Sequence, residues 1–139
     1  MYQTYHLSHK DALKIVNLIA AELEKQGKGA AIAVTDTQGE LLCMLRLDGC
    51  KLPSINIAIN KAFTAAREQK ESKEIGESSR TNGFPMTTFG DLRYTAWGGG
   101  VPVRYQGQVV GAIGVSGLPE AEDVVMARMG ADLFEAGQS

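Results

Sequence analysis

Lys61 is the residue with most chemical potential in this chain. It lies in a segment otherwise rich in apolar residues, Ile55-Asn56-Ile57-Ala58-Ile59-Asn60-Lys61-Ala62-Phe63, and Ile57, Lys61 and Thr64 recur at i, i+4 and i+7, which puts them on one side of a helix. An ammonium flanked by apolar faces can anchor a substrate carboxylate, or, when desolvated, act as a base. The same placement also suits a lysine that snorkels to solvent or forms a structural ion pair. Arg46 and Asp48, beside Gly49 at the end of a β segment, could grip a polar ligand. They could equally pair with each other on a solvated rim, where an isolated pair contributes little. Gly98-Gly99-Gly100 precedes Val101-Pro102-Val103. Consecutive glycines leave backbone N–H groups unobstructed, suited to cradling an anion or a flat ligand, or to a sharp turn leading into a strand.

Other chemistries lack their required context. A phosphate-binding loop needs a Lys-Ser/Thr pair and a helix after its glycines, and here a strand follows. Gly111, Gly114 and Gly117 lie within a strand and its exit, so they are not a dinucleotide fingerprint. His6 and His9 are the only histidines, and three-residue spacing alone is no metal motif. Of the two, His9 falls inside the first predicted helix and is the imidazole candidate for an axial haem ligand. Met44, Met86, Met126 and Met129 read as core or gap-filling residues. Ser116 lacks a nucleophile-elbow setting, so no catalytic triad is assigned. Cys43 and Cys50 are too few for a disulfide framework or a four-cysteine zinc site and read as reduced thiols.

The elements that must position these residues are well signalled. Ser8 and Asp11 open a helix whose apolar stripe is Ala12, Val16, Ile19 and Leu23, with Lys14, Glu22, Glu24 and Lys25 on its wet side. Gly27 and Gly29 end it. Residues 30–35 and 40–47 form a β-hairpin around Asp36-Thr37-Gln38-Gly39. In the second strand Leu41, Cys43 and Leu45 share one face and Leu42 and Met44 the other, which predicts cover on both sides by helices or a second subunit. Ser54 caps the next helix, with Ile55, Ala58, Ile59, Ala62, Ala65 and Ala66 as its buried stripe. Residues 68–80 hold a short polar helix, and 81–95 a loop with the features of a lid. A second hairpin joins residues 101–105 to 108–116 at Gln106-Gly107. Val109, Ile113 and Val115 share one face of its second strand. Ala112, Gly114 and Ser116, on the other face, leave room for close approach by a helix, a ligand or another chain. Pro119, Glu120, Glu122 and Asp123 open the last helix, which Val125, Met129 and Leu133 continue. Hairpins with intervening helices imply an α+β domain with an antiparallel sheet.

The 139 residues suit one domain, 1–139, and the apolar content of 44% with 22% charged residues gives it a core. The 14 basic residues are dispersed and the net charge is -2, so nucleic acid is not an expected partner. No apolar run reaches membrane-spanning length. The first residues carry no apolar stretch behind a basic start, so a cytoplasmic location is expected.

These segments together resemble the GlcG/HbpS family, which also occurs as the C-terminal domain of PduO-type proteins. The resemblance rests on Ala31-Ile32-Ala33-Val34 with Asp36 and Gly39, then Arg46-Leu47-Asp48-Gly49, then Lys61-Ala62-Phe63-Thr64-Ala65-Ala66. It continues through Gly98-Gly99-Gly100-Val101-Pro102-Val103-Arg104 and Gly111-Ala112-Ile113-Gly114-Val115-Ser116-Gly117, followed by an acidic helix start with Asp123. It implies a profilin-like α/β/α sandwich, a five-stranded antiparallel sheet with helices on both faces, and homo-oligomers. Members are linked to haem binding, and others accompany glycolate or cobalamin-dependent diol metabolism. Asn60 stands where an aspartate commonly precedes the family lysine, Thr37-Gln38 replaces the usual small-residue turn, and the secretion signal of the extracellular members is absent. No axial haem ligand carries over by position, so His9 is nominated by its chemistry alone.

The first expectation is a binding module for haem, a related tetrapyrrole, or a small carboxylate or diol, with Arg46, Asp48, Lys61, Gly98, Gly99 and Gly100 at its site. The second is an enzyme acting on a small oxygenated metabolite, with Lys61 as base or carboxylate anchor near Arg46 and Asp48. The third is an assembly component without a small ligand, suggested by the doubly apolar segment 41–47.

Overall fold

A reciprocal cap starts the first helix. The Asp11 N–H donates to the Ser8 hydroxyl at 3.1 Å, and the Ser8 N–H donates to the Asp11 carboxylate at 2.9 Å, which satisfies two N–H groups that a helix start leaves open. In the computed structural model, which describes residues 1–135, this helix is α1, His9–Lys25. It is followed by β1 (Ala31–Thr35), β2 (Leu41–Arg46), α2 (Ser54–Glu68), α3 (Ser72–Asn82), a 3-10 turn (Met86–Phe89), β3 (Gly100–Tyr105), β4 (Gln108–Ser116) and α4 (Glu120–Glu135).

The strands form one antiparallel sheet in the order β2-β1-β4-β3. The fold is α+β as expected, but the sheet has four strands among the described residues rather than five. The long segment between α2 and β3 offers no alternating apolar run. Its polar half coils into α3, and Gly83, Pro85 and Gly90 confine the rest to a 3-10 turn and loop.

The sheet separates two apolar layers. Ile32, Val34, Val101, Val103, Ile113 and Val115 pack with residues of α1 and α4. On the other face Ala31 and Ala33 meet Ala58 and Ala62 of α2, while Ala112 meets Ala65 and Ala66. The small-residue face of β4 is therefore occupied by a helix. A Cβ on Gly114 would lie 1.9 Å from the Ala58 carbonyl oxygen and 2.7 Å from the Ala62 nitrogen, so only glycine lets α2 lie this close to the sheet.

Several local expectations shift. Ser54 is the first residue of α2 rather than its cap; Pro53 holds the cap position, with no side-chain hydrogen bond. A bulge between β1 and β2 pairs Val34 with Cys43 but Thr35 with Leu41, so Leu42 packs beside Cys43 against the α1/α4 layer and the expected alternation breaks. A second bulge, between β3 and β4, pairs Val103 with Gly111 and Arg104 with Val109. Val110, rather than Val109, consequently enters the core. In α4 the buried face carries Val124, Met126, Ala127, Gly130 and Ala131, leaving Val125 and Leu133 exposed. Segment 81–95 is tied down by rings: Phe89 stacks on Tyr94 at 4.3 Å, Tyr94 meets Phe63 edge-on at 5.4 Å, and the Arg93 guanidinium lies 3.9 Å over Phe63. No helix among the described residues is long and apolar enough to cross a membrane.

Candidate functional site

Lys61 leaves α2 and reaches the opposite side of the sheet. Its side chain is 3% exposed, and Nζ donates to the Val115 carbonyl at 2.9 Å and to the Asp123 carboxylate at 3.0 Å. Asp123 belongs to the first turn of α4, so the pair joins the helices of the two layers around the glycine-lined end of β3. The second Asp123 oxygen accepts the Leu118 N–H at 3.1 Å. Burial pushes the Asp123 carboxyl above its ordinary range, while the Lys61 ammonium and the Leu118 N–H pull it back down. Of the three N–H donors of the Lys61 ammonium, these contacts use two.

The glycine run is what gives the lysine its path. A Cβ on Gly99 would stand 2.8 Å from Lys61 Nζ and 2.6 Å from the Val115 carbonyl, and one on Gly100 would stand 2.2 Å from the Lys61 carbonyl. Gly99 also has φ +123, a conformation that side chains disfavour. The neighbouring N–H groups are engaged within the protein. Gly98 donates to Glu120 at 2.8 Å and Gly100 to the Ser72 hydroxyl at 2.9 Å. That hydroxyl in turn donates to the Trp97 carbonyl at 2.7 Å, clamping both ends of the loop. The sequence-level picture of these amides as an open anion cradle is thus replaced, at Gly98 and Gly100, by close packing.

Beside this junction lies a cavity of about 290 Å³, lined by Lys51, Ser54, Ile57, Lys61, Trp97, Ser116, Gly117, Leu118, Glu120 and Asp123. Its size falls at the small end of ligand pockets. Ser54 and Ser116 are only 6% and 5% exposed, and neither hydroxyl has a hydrogen-bond partner among the described residues. Both serines line the cavity, and their hydroxyls are not among the buried unpartnered atoms of the described residues; open to the cavity beside an ammonium, they form a polar wall available to a bound molecule. Trp97, the single tryptophan, is 57% exposed and forms the apolar side.

The other sequence candidates fall at different distances from this cavity. Arg46 pairs with Ala31, which pairs with Ser116, so Arg46 shares a row with Ser116 two strand spacings away, roughly 10 Å. It does not line the cavity, and neither does Asp48. Arg46 and Asp48 are both exposed and form no ion pair with each other. The Asp48 carbonyl instead packs on Gly29, where a Cβ would come within 2.4 Å of it. His9 is exposed at the first position of α1 and does not line the cavity. Cys43 and Cys50 are free thiols, and burial raises the Cys50 pKa, which keeps it protonated and unreactive.

Sequence reasoning missed the depth of Asp123, which read as one of three acids favouring a helix start. It also missed Ser54, Trp97 and Ser116 as cavity residues. Helical spacing alone does not single out Asp123: Glu120 leads at i+4 and i+7 into the buried Val124 and Ala127, just as Asp123 leads into Ala127 and Gly130.

Known proteins share this architecture. The chain is 37% identical over 110 residues to Protein GlcG of Escherichia coli K12, covering 79% of this chain and 81% of that one. Among solved structures it superposes on Klebsiella pneumoniae protein ORFY with a TM-score of 0.90 at 26% identity, covering 98% and 95% of the two chains. It superposes on a double mutant of Streptomyces reticuli HbpS with a TM-score of 0.85 at 31% identity, covering 96% and 90%. A PduOC:heme complex shares the fold at 19% identity, with a TM-score of 0.82 over 91% of this chain and 94% of that one. The family pattern described as Haem degrading protein HbpS-like matches residues 7–132, and the chain belongs to this HbpS-like family.

Proposed function

We propose that this protein binds a small oxygenated ligand, a carboxylate or a diol, in the Lys61 cavity. The observation that carries this reading is the pair of Ser54 and Ser116 hydroxyls, which line the cavity with Lys61 and have no hydrogen-bond partner among the described residues. Hydroxyls serve as both donors and acceptors and the ammonium is donor-only, so together they match carboxylate oxygens or vicinal hydroxyls. Lys61 acts as an anchoring donor rather than as a base. Arg46 and Asp48 do not line the cavity with it, and the enzymatic reading needs the three to converge. The test is titration of Trp97 fluorescence with small carboxylates and diols. Saturable quenching is expected, weakened about tenfold in S54A and in S116A, as loss of one hydrogen bond to a charged partner implies. Titrations that the two substitutions leave unchanged would overturn the assignment.

A second reading, haem or a related tetrapyrrole, is favoured by the family description and by the fold shared with a haem complex. Both ring nitrogens of His6 are engaged, by Thr4 and Thr37, whereas the exposed His9 imidazole has no partner among the described residues. His9 is therefore the imidazole fitted to an axial position. Haemin titration followed at the Soret band tests this, with H9A expected to abolish the shift. A shift that persists in H9A removes histidine ligation by this residue. The protein works as a homo-oligomer in this proposal, supported by Leu41 and Leu45 exposed on the edge strand β2.

A further inference from the structure

Glu120 stands between two concave regions. Its carboxylate accepts the Gly98 N–H at 2.8 Å, and it lines both the Lys61 cavity and a groove of about 420 Å³ between α3 and α4. The groove has an apolar floor of Ala121, Val124 and Val125 and a rim of Lys73, Arg80 and Arg128. Arg128 is neutralised by a two-point contact with Glu71, both bonds 2.9 Å. Lys73 and Arg80 make no ion pair or hydrogen bond among the described residues. Seven residues apart, they lie on one side of α3 about two turns from each other.

We propose that the Lys61 cavity and this cationic groove are two halves of one site for an elongated dianion, divided by the Glu120 side chain. One acidic group takes the Ser54, Ser116 and Lys61 donors. The second takes Lys73 and Arg80, and the apolar spacer between them lies along Val124 and Val125. Three features converge on this geometry. The two regions are contiguous, since Gly98 sits against Glu120, Val124 and Lys73 at once, with a Cβ there 2.8, 3.0 and 3.2 Å from them. The groove cations without partners among the described residues are Lys73, beside Gly98, and Arg80, about two helical turns farther along α3. The divider is itself a carboxylate on a backbone N–H, so an incoming carboxylate can replace it there without leaving that donor unpaired.

This inference rests on the small-carboxylate reading of the Lys61 cavity, and one experiment separates their failures. Trp97 fluorescence is titrated with linear α,ω-dicarboxylates of about six to ten carbons (the longest about the span of two turns of helix) and with monocarboxylates of matching length. At one intermediate length the dicarboxylate is expected to bind at least about tenfold tighter than its monocarboxylate partner. K73A/R80A should erase that advantage while leaving monocarboxylate affinity unchanged, and E120Q should tighten dicarboxylate binding. The two rim residues are exposed, so the double variant is expected to melt like the parent. Equal affinities for the two series, or equal weakening of both in K73A/R80A, overturn the bipartite site and leave the small-carboxylate reading standing. No binding by either series overturns both.

Discussion

Lys61 and Asp123 lie 62 positions apart in sequence, on helices packed against opposite faces of one sheet, and meet at 3.0 Å with side chains 3% and 4% exposed. A buried pair of this kind holds two layers together only while both members are present. Removing one strands the other as an uncompensated buried charge.

Single substitutions at this pair should therefore be costly. K61M or D123L is expected to lose about 3–5 kcal/mol, and the double variant K61M/D123L less than the sum of the two. Urea denaturation of the four proteins measures the coupling. Additive losses would mean that the two groups do not depend on each other.

Glycines at the end of β3 should tolerate no side chain. G100A is expected to cost about 1–3 kcal/mol or more from overpacking against the Lys61 backbone. G27A provides the comparison, because Gly27 has φ +69 but nothing within 4 Å of an added Cβ, and should cost only the backbone strain of about 1–2 kcal/mol. Thermal melts that rank G27A as the worse variant would contradict the close-packing role of Gly100.

Two carboxyls should shape the pH dependence of stability in opposite directions. Asp123 is raised by burial, against the pull of Lys61 and the Leu118 N–H. Above the ordinary aspartate value of about 3.9 the folded protein thus holds a proton that the unfolded chain releases. Its contribution falls as pH rises through that window. Asp91 is lowered to about 2 by its hydrogen bonds with Arg93. Its contribution is present above about 3.9 and is lost as pH falls toward 2. Urea midpoints measured across this range should flatten on the acid limb in D91N and lose the Asp123 slope in D123N. A D91N profile that parallels the parent would refute the assignment for Asp91.

The edge of β2 should govern self-association. Leu41 and Leu45 are 47% and 36% exposed on a strand with one neighbour, and a charge there discourages edge pairing. Light scattering should show L41K/L45K shifted toward the monomer relative to the parent at the same concentration. An unchanged mass would place the interface elsewhere.

Much of the fold was legible from local pattern. The capping box at Ser8 and Asp11 is a contact between residues three apart. The Asp36 turn is similarly local, its carboxylate accepting the Gln38 and Glu40 N–H groups at 2.9 and 3.0 Å. The limits of β4 followed from apolar alternation and the Gln106-Gly107 turn, where both residues have positive φ. Such features depend on neighbours in sequence and survive without knowledge of the whole. The bulges at Leu42 and Val110 did not show, because register is set between strands and an extra residue in one strand leaves no mark in its own periodicity.

By itself the sequence determined the element order, the hairpins, the α+β class, the family resemblance and the candidacy of Lys61 with its glycines. Only the tertiary structure decided that Lys61 passes the end of β3 to reach Asp123, that Gly98 and Gly100 give their N–H groups to Glu120 and Ser72, and that Arg46 and Asp48 stay outside the cavity. It also brought Ser54 and Ser116, 62 residues apart, to one cavity, with no partner for either hydroxyl among the described residues. The physical reason is range. Helix and turn propensities act over a few residues, whereas a buried charge pair and a cavity wall are assembled by packing, which joins residues regardless of their separation along the chain.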